Sequence, residues 1–81
     1  VLAKRSFTIQ GHRTSVALEP EFWAAFDAAV ARRATTPTAL VTSIDEARDR
    51  PLASAIRVFL LAEAQAVSSL AAATSSTAAS A

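Results

Sequence analysis

Cysteine, methionine and tyrosine are absent from this 81-residue chain, and glycine and histidine occur once each. Without cysteine there is no disulfide framework and no thiolate metal site. One histidine cannot build a histidine-rich cluster, so neither a metal nor a cofactor is expected. The missing methionine implies that the initiator has been removed or that the sequence is a fragment. Long hydrophobic runs are missing too: the longest nearly uncharged apolar stretch, Val58 to Ala62, is far short of the roughly 20 residues that a membrane span needs. The opening Val-Leu-Ala-Lys-Arg lacks the apolar core of a signal peptide. These absences predict one small soluble cytoplasmic domain with no membrane association.

Large apolar side chains are also fewer than the 52% hydrophobic content implies, since 21 residues are Ala and only 21 are Val, Ile, Leu, Phe or Trp. A compact monomer of this size has roughly 4,600 Å² of surface and buries only about 60% of its unfolded area. So thin a core predicts dependence on a partner chain. Residues 68–81 are Ala, Ser or Thr except Leu70, a composition that reads as a disordered tail or a frayed helix end.

Charge is nearly balanced at +1 but unevenly spread. Lys4, Arg5, His12 and Arg13 precede every acid, and all seven acids lie from Glu19 onward. A basic N-terminal arm on a neutral body is either a solubilising terminus or a footprint for a polyanion.

Two stretches alternate with the period of half-buried strands. In Arg5–Ile9, Phe7 and Ile9 share one face. In Arg13–Leu18, Thr14, Val16 and Leu18 share one face and Arg13, Ser15 and Ala17 the other. Gln10-Gly11-His12 between them predicts a turn or a sharp bend, giving a hairpin or one bent strand. Glu19-Pro20-Glu21 opens a helix, with Phe22, Trp23, Phe26 and Val30 as its apolar stripe and Arg32 and Arg33 near its negative end. Thr36 is the expected N-cap of a second helix, with Pro37 its first residue and Leu40, Val41, Ile44 and Ala47 its stripe to about Asp49. A third helix follows from Leu52 to about Val67, on Leu52, Ala55, Ile56, Phe59 and Leu60. The expected organisation is a basic arm (1–4), a folded domain (5–67) and a low-complexity tail (68–81).

A lone strand cannot bury its apolar face, but pairing it with its copy in a second protomer makes a two-stranded antiparallel ribbon over the helices. Here Arg13-Thr14-Ser15-Val16-Ala17-Leu18-Glu19-Pro20-Glu21-Phe22 and Thr36-Pro37-Thr38-Ala39-Leu40-Val41 resemble the ribbon-helix-helix family. Gly11-His12-Arg13-Thr14-Ser15, Glu19 to Trp23 and Ala55-Ile56-Arg57-Val58-Phe59 are similar to a bacterial branch with an extra N-terminal strand and a third helix. The resemblance covers residues 5 to 62. It implies a mainly helical α+β fold and a homodimer with an intermolecular ribbon. It also implies sequence-specific binding of double-stranded DNA as a transcriptional repressor or antitoxin-like regulator, not an enzyme.

Carried onto this chain, the resemblance assigns base contacts to Arg13, Ser15 and Ala17 in the major groove. Phosphate contacts fall to Lys4, Arg5, Thr36 and Thr38, and the dimer core to Val16, Leu18, Phe22, Trp23, Phe26, Leu40 and Ile44. Three departures stand out. The usual glycine between the first two helices is absent, a third helix is added, and Arg5–Ile9 precedes the ribbon. If that segment pairs beside the ribbon, a dimer has four strands, about 14 Å across, too wide to enter a groove about 12 Å wide as a ribbon does. The alternative is therefore a structural or adaptor dimer that engages a protein partner through the third helix or the widened sheet.

The remaining residues have plainer readings. His12 is a polar turn residue rather than a phosphate contact or pH sensor. Trp23 covers core. Asp45, Glu46, Arg48, Asp49 and Arg50 form a solvated face rather than a paired-carboxylate site. Arg57 is expected to pair with an acid across the dimer. Ser6, Ser15 and Ser54 have no base placed near them, so no catalytic residue is expected.

Overall fold

A computed structural model gives the fold, describing the backbone of residues 1–80 and the side chains of residues 1–70. Strands β1 (Ala3–Ile9) and β2 (His12–Leu18) are followed by α1 (Pro20–Arg32), α2 (Pro37–Ala47) and α3 (Leu52–Ser80). The strands form one antiparallel hairpin within the chain, with Ile9 opposite His12, Ser6 opposite Ser15 and Ala3 opposite Leu18. Of the two sequence-level alternatives, the hairpin is the one that forms.

Gln10 and Gly11 close the hairpin with φ of 52° and 80°. Two central residues with positive φ make a type I′ turn, whose twist matches that of the flanking strands. The turn bond makes Ile9 and His12 a hydrogen-bonded pair, and antiparallel pairs alternate from there. The register therefore places Arg13, Ser15 and Ala17 in non-hydrogen-bonded pairs. Their backbone N–H and C=O groups point away from β1, along the open edge of β2.

The helices cover one face of the hairpin. Phe7, Ile9, Val16 and Leu18 are buried against Trp23, Phe26, Leu40, Val41, Ile44, Ile56 and Leu60. Phe7, Trp23 and Phe26 pack as an aromatic trio with centroids 5.4 to 6.2 Å apart, edge-to-face or tilted, the arrangement that ring quadrupoles favour. The Trp23 indole N–H donates to the Ala3 carbonyl at 2.7 Å, which ties α1 to the start of β1.

This packing corrects the expected reason for dimerisation. The strand's apolar side is hidden without a second copy, because β1 widens the sheet and α3 adds Ile56 and Leu60 to the core. Val16, Leu18, Trp23, Phe26, Leu40 and Ile44 are all buried within the protomer, and Phe22 is half-buried. Arg57 also departs from expectation. Its acid is Glu19 of the same chain, at 3.0 Å, so the pair fastens α3 to the junction of β2 and α1.

Helix α1 ends in a Schellman motif, with Ala34 N–H bonded to Ala31 O and Thr35 N–H to Val30 O. Ala34 takes φ of 52° at the position where glycine is usual. The missing glycine is therefore replaced by a strained alanine, not by a different turn. Thr36 caps α2 by accepting from Ala39 N–H at 3.1 Å. Helix α2 ends at Ala47, two residues before the expected Asp49, and α3 runs past Val67 to Ser80. Most of the expected tail falls outside the described side chains.

By length and composition, Leu52–Leu70 of α3 reaches the range of a membrane span, with hydropathy 1.2. In this fold the same segment supplies Ile56 and Leu60 to the core. Its two charges, Arg57 and Glu63, are ion-paired to Glu19 and to Arg32 and Arg33.

Candidate functional site

The two faces of the hairpin divide its polar residues. The register places Lys4, Ser6 and Thr8 of β1 beside Ala17, Ser15 and Arg13 of β2, all on the face away from the helices. All are exposed except Ala17, which is partly covered. The Ser6 and Ser15 hydroxyls meet at 3.1 Å across the strands. Among the described residues, no hydrogen bond or ion pair engages the side chain of Lys4, His12 or Arg13. The face carries two permanent cations, four small side chains and no acid. Backbone N–H and C=O groups at the edge of β2 extend it.

Arg5 belongs to the other face. Its guanidinium makes a forked contact with Asp27 at 2.8 and 3.1 Å and lies 4.6 Å from the centre of the Trp23 ring. The fork geometry suits a carboxylate, and the ring face attracts the cation. The hydrogen bond from Arg5 holds the Asp27 carboxyl below its ordinary range, and Asp27 raises Arg5 in turn. Arg5 is thus a packing residue here, separated by the sheet from Lys4 and Arg13.

Thr36 and Thr38 are exposed in the helical layer, at the first turn of α2. An anion at a helix start needs free backbone donors. Pro37 has none, Ala39 N–H is bonded to Thr36 Oγ1, and Leu40 N–H to Thr36 O. Only Thr38 N–H is left in that turn.

The remaining arginines are all ion-paired. Glu63 of α3 receives Arg33 at 2.8 Å and Arg32 at 3.2 Å, and the bond from Arg33 lowers its pKa. The Glu19 carboxyl is lowered first by its own backbone N–H and then by Arg57. Asp45 pairs with Arg48, and Asp49 with Arg50, on the surface. Among the described residues, no group of three His, Cys, Asp or Glu side chains is placed to hold a metal ion.

Ser6 and Thr8 were not among the candidates expected from the sequence. Their alternation with Phe7 and Ile9 marked them as outward, but only the hairpin register brings them beside Ser15 and Arg13. Asp27 as the partner of Arg5 had no sequence signal, since 22 residues separate the two.

Residues 2–64 match a family model described as Ribbon-helix-helix domain. No curated protein and no solved structure matches. Domains of this family are typically DNA-binding regulators and generally form homodimers. With the matched segment running from before β1 into α3, across the hairpin, both short helices and the first turns of the third, the chain belongs to the ribbon-helix-helix family.

Proposed function

We propose that this chain acts as a homodimer that binds double-stranded DNA and represses transcription, in the cytoplasm, with the solvent face of its sheet over the major groove. The observation that carries this reading is the composition of that face: Lys4 and Arg13 without partners among the described residues, small hydroxyl residues between them, and no acid. Two copies join antiparallel through the open edge of β2, giving the strand order β1–β2–β2–β1. A twofold axis at Ser15 sets each Arg13 opposite the Ala17 of the other copy.

The hairpin changes how such a dimer meets DNA. Four strands span about 14 Å between backbones, against a groove about 12 Å wide and 8.5 Å deep. The sheet lies across the groove mouth instead of entering it. Arg13, central and long, reaches base edges and suits guanine O6 and N7. Ser15 and Ala17, assigned base contacts by resemblance, are short and stand over the groove. Lys4, on the outer strand, faces the phosphate rim, and Thr38 offers one further phosphate contact. Arg5, held by Asp27 and Trp23, takes no part.

A titration of duplex DNA at low and moderate salt tests this reading. Affinity falls with salt, because each neutralised phosphate releases counterions. Arg13→Ala weakens binding by about 1–3 kcal/mol and flattens sequence preference. No binding at low salt, or binding indifferent to Arg13, overturns the proposal. An intact dimer that ignores DNA would favour the second reading, an adaptor docking another protein. The width of the sheet is the observation on its side.

A further inference from the structure

Strand β1 has an open edge of its own. In the hairpin, Ala3, Arg5, Phe7 and Ile9 stand opposite Leu18, Val16, Thr14 and His12. These are the hydrogen-bonded pairs, since they alternate from the bonded Ile9–His12 pair at the turn. Lys4, Ser6 and Thr8 therefore turn their backbone N–H and C=O groups away from β2. Among the described residues, no backbone bond from outside the hairpin reaches them. All three are exposed, and their side chains lie on the solvent face beside Ala17, Ser15 and Arg13. The edge thus presents three free N–H donors, with an ammonium and two hydroxyls next to them.

We propose that this outer edge is where the protein grips the DNA backbone, with Lys4, Ser6 and Thr8 of each copy set along one line of phosphates. The inference rests on the DNA reading above and deepens it, moving the backbone contacts from the start of α2 to the strand that precedes the ribbon. In the order β1–β2–β2–β1 the outer strands are about 14 Å apart, and the major groove is about 12 Å wide. The inner strands then stand over the groove and the outer strands over its walls, which are sugar and phosphate. Alternate residues of a strand are about 6.8 Å apart, so Lys4 to Thr8 covers about 14 Å. A DNA strand carries one charge per roughly 3.4 Å of axis, dense enough to meet each of the three.

The donor set suits a phosphodiester. Backbone N–H groups, hydroxyls and lysine are the common partners of phosphate oxygens and carry no preference for sequence. No acid precedes Glu19. Asp27, the carboxylate held against β1, is engaged by the fork of Arg5 at 2.8 and 3.1 Å. Arg5 thereby masks the charge that would repel the backbone, although it does not touch DNA itself. Carbonyls of Lys4, Ser6 and Thr8 share the edge and are left to water. The first turn of α2 is the poorer anchor. Pro37 has no N–H, and those of Ala39 and Leu40 are bonded to Thr36.

Titration of the full chain with two duplexes of different sequence tests the proposal. Thr8→Val keeps the shape and strand preference of the residue. Combined with Ser6→Ala, it weakens binding to both duplexes about 10-fold and by the same factor. Lys4→Ala lowers the salt slope by about 2 for the dimer, one phosphate per copy. Thr8→Pro also removes the outward N–H, which the ladder does not use, a place where an edge strand accepts proline. It costs more than Thr8→Val, with circular dichroism unchanged. Thr38→Ala, at the start of α2, costs less than Thr8→Val. Wild-type affinity in the Ser6→Ala/Thr8→Val chain overturns the proposal, as does a loss confined to one duplex or a larger loss from Thr38→Ala. If those outcomes occur while Arg13→Ala still weakens binding and flattens sequence preference, the groove reading stands and the outer-edge grip alone fails. A wild-type chain that binds neither duplex at low salt removes both.

Discussion

The two faces of the β1–β2 hairpin are built from the same fourteen strand residues, yet every cation on one is spoken for and none on the other is. Arg5, on the helical face, is held by Asp27 and stacks on Trp23. Lys4 and Arg13, on the solvent face, meet no acid. The contrast teaches that sign of charge near the N-terminus is a poor guide to function until the register is known. Adjacent residues of a strand point to opposite faces, so Lys4 and Arg5 have unrelated roles.

The largest expected effect that sharpens this contrast is on stability. Phe26→Ala removes a fully buried ring from the aromatic trio and lowers unfolding free energy by about 3–5 kcal/mol. Arg13→Ala, on the other face, changes it by no more than about 0.5 kcal/mol. Urea unfolding of both variants measures the difference, and equal losses would break the division of faces.

Next comes Arg5→Met, which costs about 1 kcal/mol through loss of the ring contact and a solvent-screened ion pair. Its DNA binding keeps the wild-type salt dependence. A flatter slope would show that Arg5 touches phosphate after all.

A change on neither face is of similar size and opposite sign. Ala34→Gly relieves the left-handed backbone at the end of α1 and raises stability by up to about 1 kcal/mol. Thermal unfolding shows it as an upward shift with DNA affinity unchanged.

The smallest effect is the response to acid. Asp27, Glu19 and Glu63 all have lowered pKa values from hydrogen bonds to arginine or backbone. A lowered carboxyl stabilises the fold above its unfolded pKa and loses that contribution as pH falls through its folded value. Stability therefore holds at neutral pH and declines below about 4.5, continuing downward past the ordinary carboxyl range. Asp27→Asn removes part of the decline, which pH-dependent melting detects. No carboxyl lies on the solvent face, so its charge does not change over that range.

Much of this division was legible in the sequence. Alternation in Phe7–Ile9 and Thr14–Leu18 marks the inner face, Thr36-Pro37 marks the start of α2, and Leu52, Ile56 and Leu60 mark α3 as a core helix. The period-two signal does not say which strands pair, and the pairing of β1 with β2 within one chain reassigns both Arg5 and the burial of Val16. The short gap between the strands allowed a bend as well as a turn, since positive φ at Gln10 leaves no mark in a glutamine. Long-range partners such as Asp27 for Arg5 and Glu19 for Arg57 depend on packing angles that no local pattern carries.

Amide chemical shifts recorded while duplex DNA is added at low salt test the central claim most directly. The account predicts that the largest changes fall on Lys4, Ser6, Thr8, Arg13, Ser15 and Ala17, with Arg5, Phe7 and Arg48 little affected. Changes concentrated on the helices, or absent from the outward strand residues, would contradict it.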